Sequence, residues 1–163
     1  MSERLMGWVS NVQEPKRLNR YELLMDDALR LTCNRISLPK INLDKVEIHR
    51  MHNLYKVSGS KITYDDITVN FYDFVDNQAA KAIEAWHAQV YDIGTSLMGF
   101  PQGYKRNLTV LVYGPDHSVV ETWTLVGAWP MTIARKELSW ADANGTQEVT
   151  MTLAIDEAQI VVS

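Results

Sequence analysis

The side chains best suited to do chemistry in this chain are two histidines and two neighbouring aspartates. His49 and His52 are separated by two residues, and Asp65 and Asp66 follow downstream. Imidazole nitrogens and carboxylate oxygens are common zinc ligands, so these side chains are the candidate set for a metal hydrolase. Residues i and i+3 of a strand point to opposite faces, however, so chelation by both histidines would need a bend. Solvated loop histidines are the simpler interpretation, and we expect no catalytic residue, metal or cofactor.

The remaining reactive residue types favour structural roles. Cys33 is the single cysteine and lies in an apolar run without basic neighbours, which favours a buried thiol over a nucleophile. His87 lies beside Trp86 on an apolar stripe and is interpreted as a core or interface histidine. The sequence contains no phosphate-binding glycine loop, nucleophile elbow or CxxC pair. We therefore do not expect an enzyme.

The patterning around these residues is mostly that of short β-strands. Polar and apolar residues alternate over residues 62–72 and again over residues 147–155. Asp26 and Asp27 suit a tight turn between the first two strands. Pro130 is predicted to end a strand because proline cannot donate to the hydrogen-bond ladder. The other predicted strands cover residues 21–25, 28–37, 108–113, 118–129 and 133–140.

Two segments depart from this pattern. Apolar residues recur at spacings of three and four from Ala79 to Val90, which predicts a helix over residues 77–92. Residues 40–61 combine weak strand signals with polar residues and have no dense apolar face, which predicts a long, partly exposed hairpin. The predicted fold class is mainly β, an antiparallel β-sandwich or barrel with one flanking α-helix.

Composition excludes several classes of protein. The 163 residues are 46% hydrophobic and 22% charged, and the net charge of −4 disfavours nucleic-acid binding by phosphate neutralisation. No run approaches the roughly 18 apolar residues of a membrane span. A single cysteine cannot form an internal disulfide, which favours folding in a reducing cytoplasm. We predict one β domain over residues 20–163, preceded by an N-terminal arm over residues 1–19 that orders against another surface.

The aromatic residues favour assembly. Each of Trp86, Trp123, Trp129 and Trp140 is compatible with a core position. Together with the polar hairpin and the arm, they also suit a protein that buries further surface on association. A small antiparallel sheet has two edges that need cover, and pairing with neighbouring copies is one solution.

Short motifs in a fixed order carry a family resemblance. The last third of the chain contains LVGAWP at residues 125–130, LSW at 138–140 and QEVTMTLAID at 147–156. Upstream, residues 57–69 read VSGSKITYDDITV. In this order the motifs resemble the tail tube proteins of contractile-tailed bacteriophages, which are related to the Hcp tubes of injection machines. The resemblance covers about residues 21–156 and includes the predicted helix.

This resemblance implies a structural subunit. Six copies would form a ring, and rings would stack into a rigid tube inside a contractile sheath. The sheets of the six subunits would join into one continuous inner barrel, which removes every lateral strand edge. DNA would pass through the lumen into the host without specific binding. The implied partners are the sheath protein, the baseplate and the tail terminator, in a virion tail that is made and assembled in the cytoplasm of the bacterial host.

Two sets of contact residues follow from the resemblance. The hairpin corresponds to the family's protruding loop, which packs on the adjacent ring, although it could instead fold back on its own sheet. Its candidate contact residues are Leu43, Val46, Ile48, Met51, Leu54, Tyr55 and Val57. Candidate lumen-facing residues lie on polar strand faces, where outward solvent-facing positions would have the same pattern. They are Thr68, Asn70, Thr150 and Thr152.

Other functions remain open at this point. The closest is a tube subunit of a phage-like bacteriocin or of a type VI-like injection machine. A monomeric β-barrel that binds a ligand is a second, with Trp86, Trp123 and Trp129 lining its pocket. The third is the metal hydrolase that would use the two histidines and two aspartates.

Overall fold

The structure is a computed structural model that describes residues 13–163. In chain order its elements are β1 (Tyr21–Leu24), α1 (Asp27–Thr32), β2 (Cys33–Ile36), β3 (Ile41–Arg50), β4 (Asn53–Tyr64), β5 (Ile67–Tyr72), α2 (Gln78–Val90), β6 (Tyr91–Asp92), β7 (Leu97–Met98), α3 (Pro101–Tyr104), β8 (Arg106–Tyr113), β9 (Val119–Arg135), β10 (Glu148–Ala154) and β11 (Glu157–Val162). All strand pairings among these elements are antiparallel. The mainly β, antiparallel class that the sequence predicted is confirmed.

The long strand β9 joins two sheets. Up to Ala128 it pairs with β8 and β11, and β1 pairs with β8, which gives the order β1-β8-β9-β11. From Trp129 onward it pairs with β10, and this second sheet continues through β5 to β2. Gly127, with φ +69°, lies where the strand passes from one sheet to the other.

The core lies between the two sheets and is closed by α2. The second sheet contributes alternate residues of β5 and β10, as their period of two predicts. The helix contributes residues at spacings of three and four, and it lies within two residues of its predicted bounds. The main buried side chains are Ile67, Val69, Phe71, Val149, Met151 and Leu153 of the second sheet, Leu23, Leu108, Val110 and Leu125 of the first, and Ala79, Ile83 and Trp86 of α2.

The strand predicted over residues 28–37 is wrong in its first half. These residues begin as α1, in which the Oγ1 of Thr32 donates to the carbonyl of Ala28 at 2.7 Å. Asp26 precedes the helix instead of forming a tight turn, and its carbonyl accepts from the backbone N–H groups of Leu29 and Arg30. With α3, the described residues contain three helices where the sequence predicted one.

The predicted end of a strand at Pro130 is also wrong, because β9 continues to Arg135. Pro130 lies opposite Leu153, where the register shifts between Thr152 and Leu153. A bulge at this point removes the need for the N–H that proline lacks. Residues 136–147 contain no strand, whereas β11 is a strand that the sequence did not predict.

The strand predicted over residues 62–72 is interrupted. Its first residues are the end of β4, and Asp65 and Asp66 separate them from β5. Of the arm predicted over residues 1–19, residues 1–12 lie outside the described residues. Closer to the domain, Lys16 forms an ion pair with Glu121 of β9. No helix in the described part of the chain is long and apolar enough to span a membrane.

Candidate assembly surfaces

The hairpin formed by β3 and β4 stands apart from the main sheets. In the part of the chain that the structure describes, these two strands pair only with each other. Their ladder runs from Ile41 opposite Tyr64 to Arg50 opposite Asn53, and all ten residues of β3 are exposed. Residues 41–64 therefore form an exposed hairpin that pairs with no other strand of the described residues.

The register of the hairpin gives it one apolar face. Val46 lies opposite Val57, and Ile48 lies opposite Tyr55. Directly opposed side chains of an antiparallel pair share a face, so these four residues form one apolar stripe. We call it the hairpin stripe. All four side chains are exposed, from Ile48 at 36% to Val46 at 49%.

The other three predicted contact residues lie elsewhere on the hairpin. Leu43 and Leu54 alternate with the stripe and so face the other way, where Leu54 lies opposite His49. Met51 lies at the tip in the left-handed region, with φ 50°, and is 99% exposed. The structure thus brings four of the seven predicted residues together.

A glycine allows the base of the hairpin to close. The register shifts between Leu43 and Lys45, and Gly59 lies across from Asp44 at this shift. A Cβ on residue 59 would lie 3.0 Å from the backbone oxygen of Asp44 and 2.8 Å from its Cβ. The close approach of the two strands therefore depends on glycine, and it fixes how the outer part of the hairpin is aligned.

The four predicted lumen residues form a single patch on the second sheet. Thr68 lies opposite Thr152, and Asn70 lies opposite Thr150. Their neighbours in sequence are buried in the core, so the four point to the face opposite the core, where Thr68 is exposed and the other three are half-buried. Thr132 of β9 extends this patch, since it lies opposite Thr152. The sequence did not identify Thr132, because the strand was predicted to end at Pro130.

The patch is polar but carries little charge. Its four central residues are uncharged, and the charged side chains beside it are Arg35, opposite Asn70, and Glu148 at the start of β10. The side-chain amide of Asn34 donates to Glu148 Oε1 at 3.3 Å. Among the described residues, the side-chain oxygens of Asn34 and Asn70 have no hydrogen-bond partner.

A family model described as phage tail tube protein matches residues 6–157. The chain belongs to the phage tail tube protein family. A curated relative, the tail tube protein gp19 of Enterobacteria phage T6, is 26% identical over 126 residues, which cover 76% of this chain and 77% of the relative. Members of this family are structural proteins and not enzymes.

Solved structures of contractile injection systems share the fold. The tube-terminating cap of the anti-feeding prophage has a TM-score of 0.73 at 19% identity, covering 93% of this chain and 94% of its own. A sheath–tube complex of the extracellular contractile injection system PVC, in the extended state, has a TM-score of 0.70 at 18% identity, covering 93% of this chain and 95% of its own. At these identities the likeness concerns the fold.

The candidate metal ligands of this tail tube protein are far apart. His49 lies one pair from the tip of the hairpin, whereas Asp65 lies just beyond its base. Eight residues of extended strand separate these levels, which is roughly 25 Å. Asp65 accepts from the side-chain amide of Asn42 at 2.9 Å. Within residues 13–163 no group of three His, Cys, Asp or Glu side chains could hold a metal ion.

The tryptophans of residues 13–163 lie in different environments. Trp86 is buried and donates from Nε1 to the carbonyl of Tyr104 at 2.7 Å, with the guanidinium of Arg106 lying 4.8 Å from its ring centre. Trp140 is fully exposed. Two cavities of about 480 and 510 Å³ lie near β1 and β2, and no tryptophan of residues 13–163 lines either. Neither cavity is therefore the pocket that the alternative of a ligand-binding barrel would form from Trp86, Trp123 and Trp129.

Cys33 has the environment of a structural thiol. It lies opposite Phe71 of the core in the pairing of β2 with β5. Burial raises the pKa of the Cys33 thiol, so the reactive thiolate is disfavoured at neutral pH. Burial, together with Cys33, also raises the pKa of Tyr21 to about 12.

Proposed function

We propose that six copies of this chain form a ring, and that rings stack into a tube whose lumen conducts DNA into the host during contractile ejection. The observation that carries the proposal is the hairpin stripe, an exposed apolar surface that no other described residue of the chain covers. Membership in the tail tube family indicates what covers it, namely further copies of the same subunit.

Lateral assembly is supported by the edges of the second sheet. Among the described residues, β2 pairs only with β5, and the end of β9 pairs only with β10. Two different free edges can pair head to tail, and such a contact forms a ring when the rotation closes. Closure also removes the exposed edges, which are otherwise sites of aggregation. The number six follows from the resemblance to contractile-tail tubes.

Stacking of rings is assigned to the hairpin. Within the predicted contact set, Val46, Ile48, Tyr55 and Val57 would form the central contact, because they share a face. Met51 would contact the adjacent ring at the tip. Leu43 and Leu54 would lie at the margin, since they face the other way.

The lumen is assigned to the face of the second sheet that points away from the core. Thr68, Asn70, Thr150 and Thr152 are uncharged, and Arg35 and Glu148 beside them are opposite in charge, so a wall built from this face has no net positive charge to neutralise phosphates. Phosphate contacts accumulate affinity, and a wall without them lets DNA pass without being retained.

The remaining partners and the location follow from the same assembly. A sheath protein would surround the tube, a baseplate would start it and a tail terminator would end it. The similar structures are a tube-terminating cap and a sheath–tube complex, which supports partners of these kinds. The subunit would be synthesised and assembled in the host cytoplasm and would reside in the virion tail, with the N-terminal arm (residues 1–19) and the β domain (residues 20–163) as its parts.

A tube subunit of an extracellular injection machine is the second candidate function. The fold likeness to the PVC sheath–tube complex favours it, whereas the curated T6 relative is a phage protein. A particle that contains DNA would identify a phage tail, and a particle without DNA an injection machine.

Electron microscopy of the purified protein tests the proposal. We expect hollow rings or tubes of uniform bore in negative stain, with sixfold symmetry in end views. Light scattering across a concentration series should show the same growth in solution. A protein that stays monomeric at high concentration and also after addition of purified baseplates would contradict the proposal, because a baseplate supplies the nucleus that growth can require.

A further inference from the structure

We propose that the hairpin of one copy docks on the opposite end of the second sheet in another copy, at a surface formed by the loops of residues 73–77 and 136–147. We call this surface the receptor end. The inference rests on the proposed stacking of subunits and adds the surface that receives the hairpin. Three observations support it: the placement of the two surfaces, their apolar exposure and their charge.

The hairpin and the receptor end lie at opposite ends of the same strands. The hairpin connects the end of β2 to the start of β5. One loop of the receptor end leaves β5 after Tyr72, and the other connects Arg135 of β9 to Glu148 of β10. Glu148 lies opposite Tyr72, so both loops emerge at the same end of the second sheet. A contact between opposite ends repeats without limit along one direction, as the growth of a stack requires.

The receptor end is held as a defined surface. The backbone N–H of Asp73 donates to the carbonyl of Gln147 at 3.1 Å and thereby ties the two loops together. Within the first loop, the N–H of Asn77 donates to the carbonyl of Phe74 at 2.9 Å. A surface with fixed loops loses less conformational entropy when a partner binds.

Several large apolar side chains of this surface are exposed in the isolated chain. Phe74 is 55% exposed and Leu138 is 84% exposed, while Val75 and Trp140 are completely exposed. Exposed aromatic and aliphatic residues in two neighbouring loops are typical of an interface. Like the residues of the hairpin stripe, they are apolar side chains that would be buried by an apolar partner surface.

The two surfaces carry opposite charge. Residues 41–64 of the hairpin contain four Lys or Arg residues and two Asp or Glu residues, a net charge of +2 with histidines neutral. The two receptor loops contain four Asp or Glu residues and one Lys, a net charge of −3. Complementary charge steers association and fixes its direction, whereas two hairpins or two receptor ends repel each other. A second copy of the chain is thus the occupant that both surfaces fit.

A charge exchange tests this docking. One variant carries Arg50→Glu and Lys56→Glu, which changes the hairpin from +2 to −2. The other carries Asp76→Lys and Glu137→Lys, which changes the receptor loops from −3 to +1. Each variant alone then opposes like charges at the contact. A control, Lys81→Glu on the exposed side of α2, reverses a charge outside both surfaces.

We expect each double variant to form rings but to require an approximately tenfold or higher concentration for stacking at low salt. A mixture of the two variants should stack again, with the two kinds of ring alternating. One chain carrying all four substitutions should also stack, because its hairpin and receptor loops are again opposite in charge. The control variant should stack as the wild type does. Circular dichroism checks that all the variants fold.

Two results would overturn the docking proposal while the proposed function stands. One is undiminished stacking of both double variants. The other is loss of stacking that neither the mixture nor the fourfold variant restores, which would place the hairpin contact elsewhere. By contrast, wild-type protein that forms no rings or tubes even after addition of purified baseplates would contradict the proposed function itself.

Cross-linking of wild-type tubes gives a test that needs no variant. Tubes grown from equal amounts of isotopically light and heavy protein are treated with a carbodiimide, which joins amines to carboxylates in direct contact. We expect mixed-isotope links from lysines of residues 45–61 to carboxylates of residues 73–76 and 137–142. Mixed-isotope links from those lysines exclusively to other parts of the chain would contradict the proposal.

Discussion

The carboxylate of Asp156 occupies the space that a side chain on Gly127 would need. Gly127 has φ +69°, and a Cβ built on it would collide with the Asp156 side chain. The surrounding contacts hold both residues in place, since Gly127 N–H donates to Asn107 Oδ1 at 3.1 Å and Asp156 N–H donates to the carbonyl of Val126 at 3.0 Å. Lys105 Nζ lies 2.7 Å from Asp156 Oδ2. This pair therefore fixes the point at which β9 passes between the sheets.

Gly127→Ala should destabilise the fold by roughly 2 kcal/mol or more. The positive φ alone costs an L-residue about 1–2 kcal/mol, and displacement of Asp156 adds to that. Gly103→Ala is the matched control, because Gly103 has no atom within 4 Å of its Cβ position and no positive φ. Urea denaturation gives the free energy of unfolding of both variants. Equal stability of the two would show that Gly127 is not required here.

Trp86→Phe should lower the free energy of unfolding by about 1–3 kcal/mol. The substitution leaves the carbonyl of Tyr104 without its indole donor and weakens the contact of Arg106 with the ring. Trp140→Phe removes the same atoms from a fully exposed side chain and should leave the stability of the monomer unchanged. Thermal unfolding under conditions that keep the protein monomeric compares the two variants. If Trp140→Phe lowered the free energy of unfolding as much as Trp86→Phe, the buried contacts of Trp86 would not explain its effect.

The parts of the fold that are predictable from the sequence are those in which burial repeats. β5 and β10 alternate between core and surface over their whole length, and α2 keeps one apolar stripe for 13 residues. In α1, six residues are too few for a helical period to show, and Leu29, Leu31 and Cys33 also fit a strand. Local sequence also does not show that β9 continues through Pro130, because the bulge that accommodates the proline forms with β10, a strand distant in sequence.

The sequence predicted the residues of the hairpin and of the polar patch, but not which of their side chains share a face. The sequence predicted the hairpin from its low apolar density. Which of its apolar residues share a face depends on the turn at Met51 and on the shift at Gly59, and together these set the register. A shift of one residue would exchange the two faces. Likewise, the sequence alone does not show that Thr68 and Thr152 lie side by side, because this depends on the pairing of their strands.

Loss of the hairpin stripe should prevent stacking without unfolding the subunit. Ile48→Ser together with Val57→Ser removes apolar area from the stripe, and both residues are exposed in the monomer, so stability should change by less than about 0.5 kcal/mol. Under the proposed function, we expect rings but few tubes in negative stain. Leu54→Ser is the control, because Leu54 is also exposed but lies on the other face. Tubes that form as well with the double variant as with the control would contradict the role of the stripe.

The attachment of Lys16 to Glu121 should make stability depend on pH in the acidic range. Hydrogen bonding from the Lys16 ammonium, and also from Nε1 of Trp123, holds the pKa of Glu121 below its usual value. The Glu121 side chain is only 12% exposed, but that of Lys16 is 54% exposed, so solvent partly screens the ion pair. Because its pKa is lower in the folded than in the unfolded state, this carboxylate stabilises the fold above the unfolded value of about 4.3. That stabilisation disappears as the pH falls through the folded pKa.

Glu121→Gln removes the charge and keeps the shape of the side chain, so it isolates this effect. We expect the variant to be less stable than the wild type by less than about 1 kcal/mol at pH 7, because solvent screens Lys16, and the difference to shrink as the pH falls through the folded pKa. Lys16→Met should cause a similar loss with the same pH dependence, because it removes the other member of the pair. Glu137→Gln, a substitution at an exposed carboxylate in the loop after β9, serves as the control. Urea denaturation at several pH values between 3 and 7 measures all three variants. A difference between wild type and Glu121→Gln that stays constant over this range would show that the charge of Glu121 does not stabilise the fold.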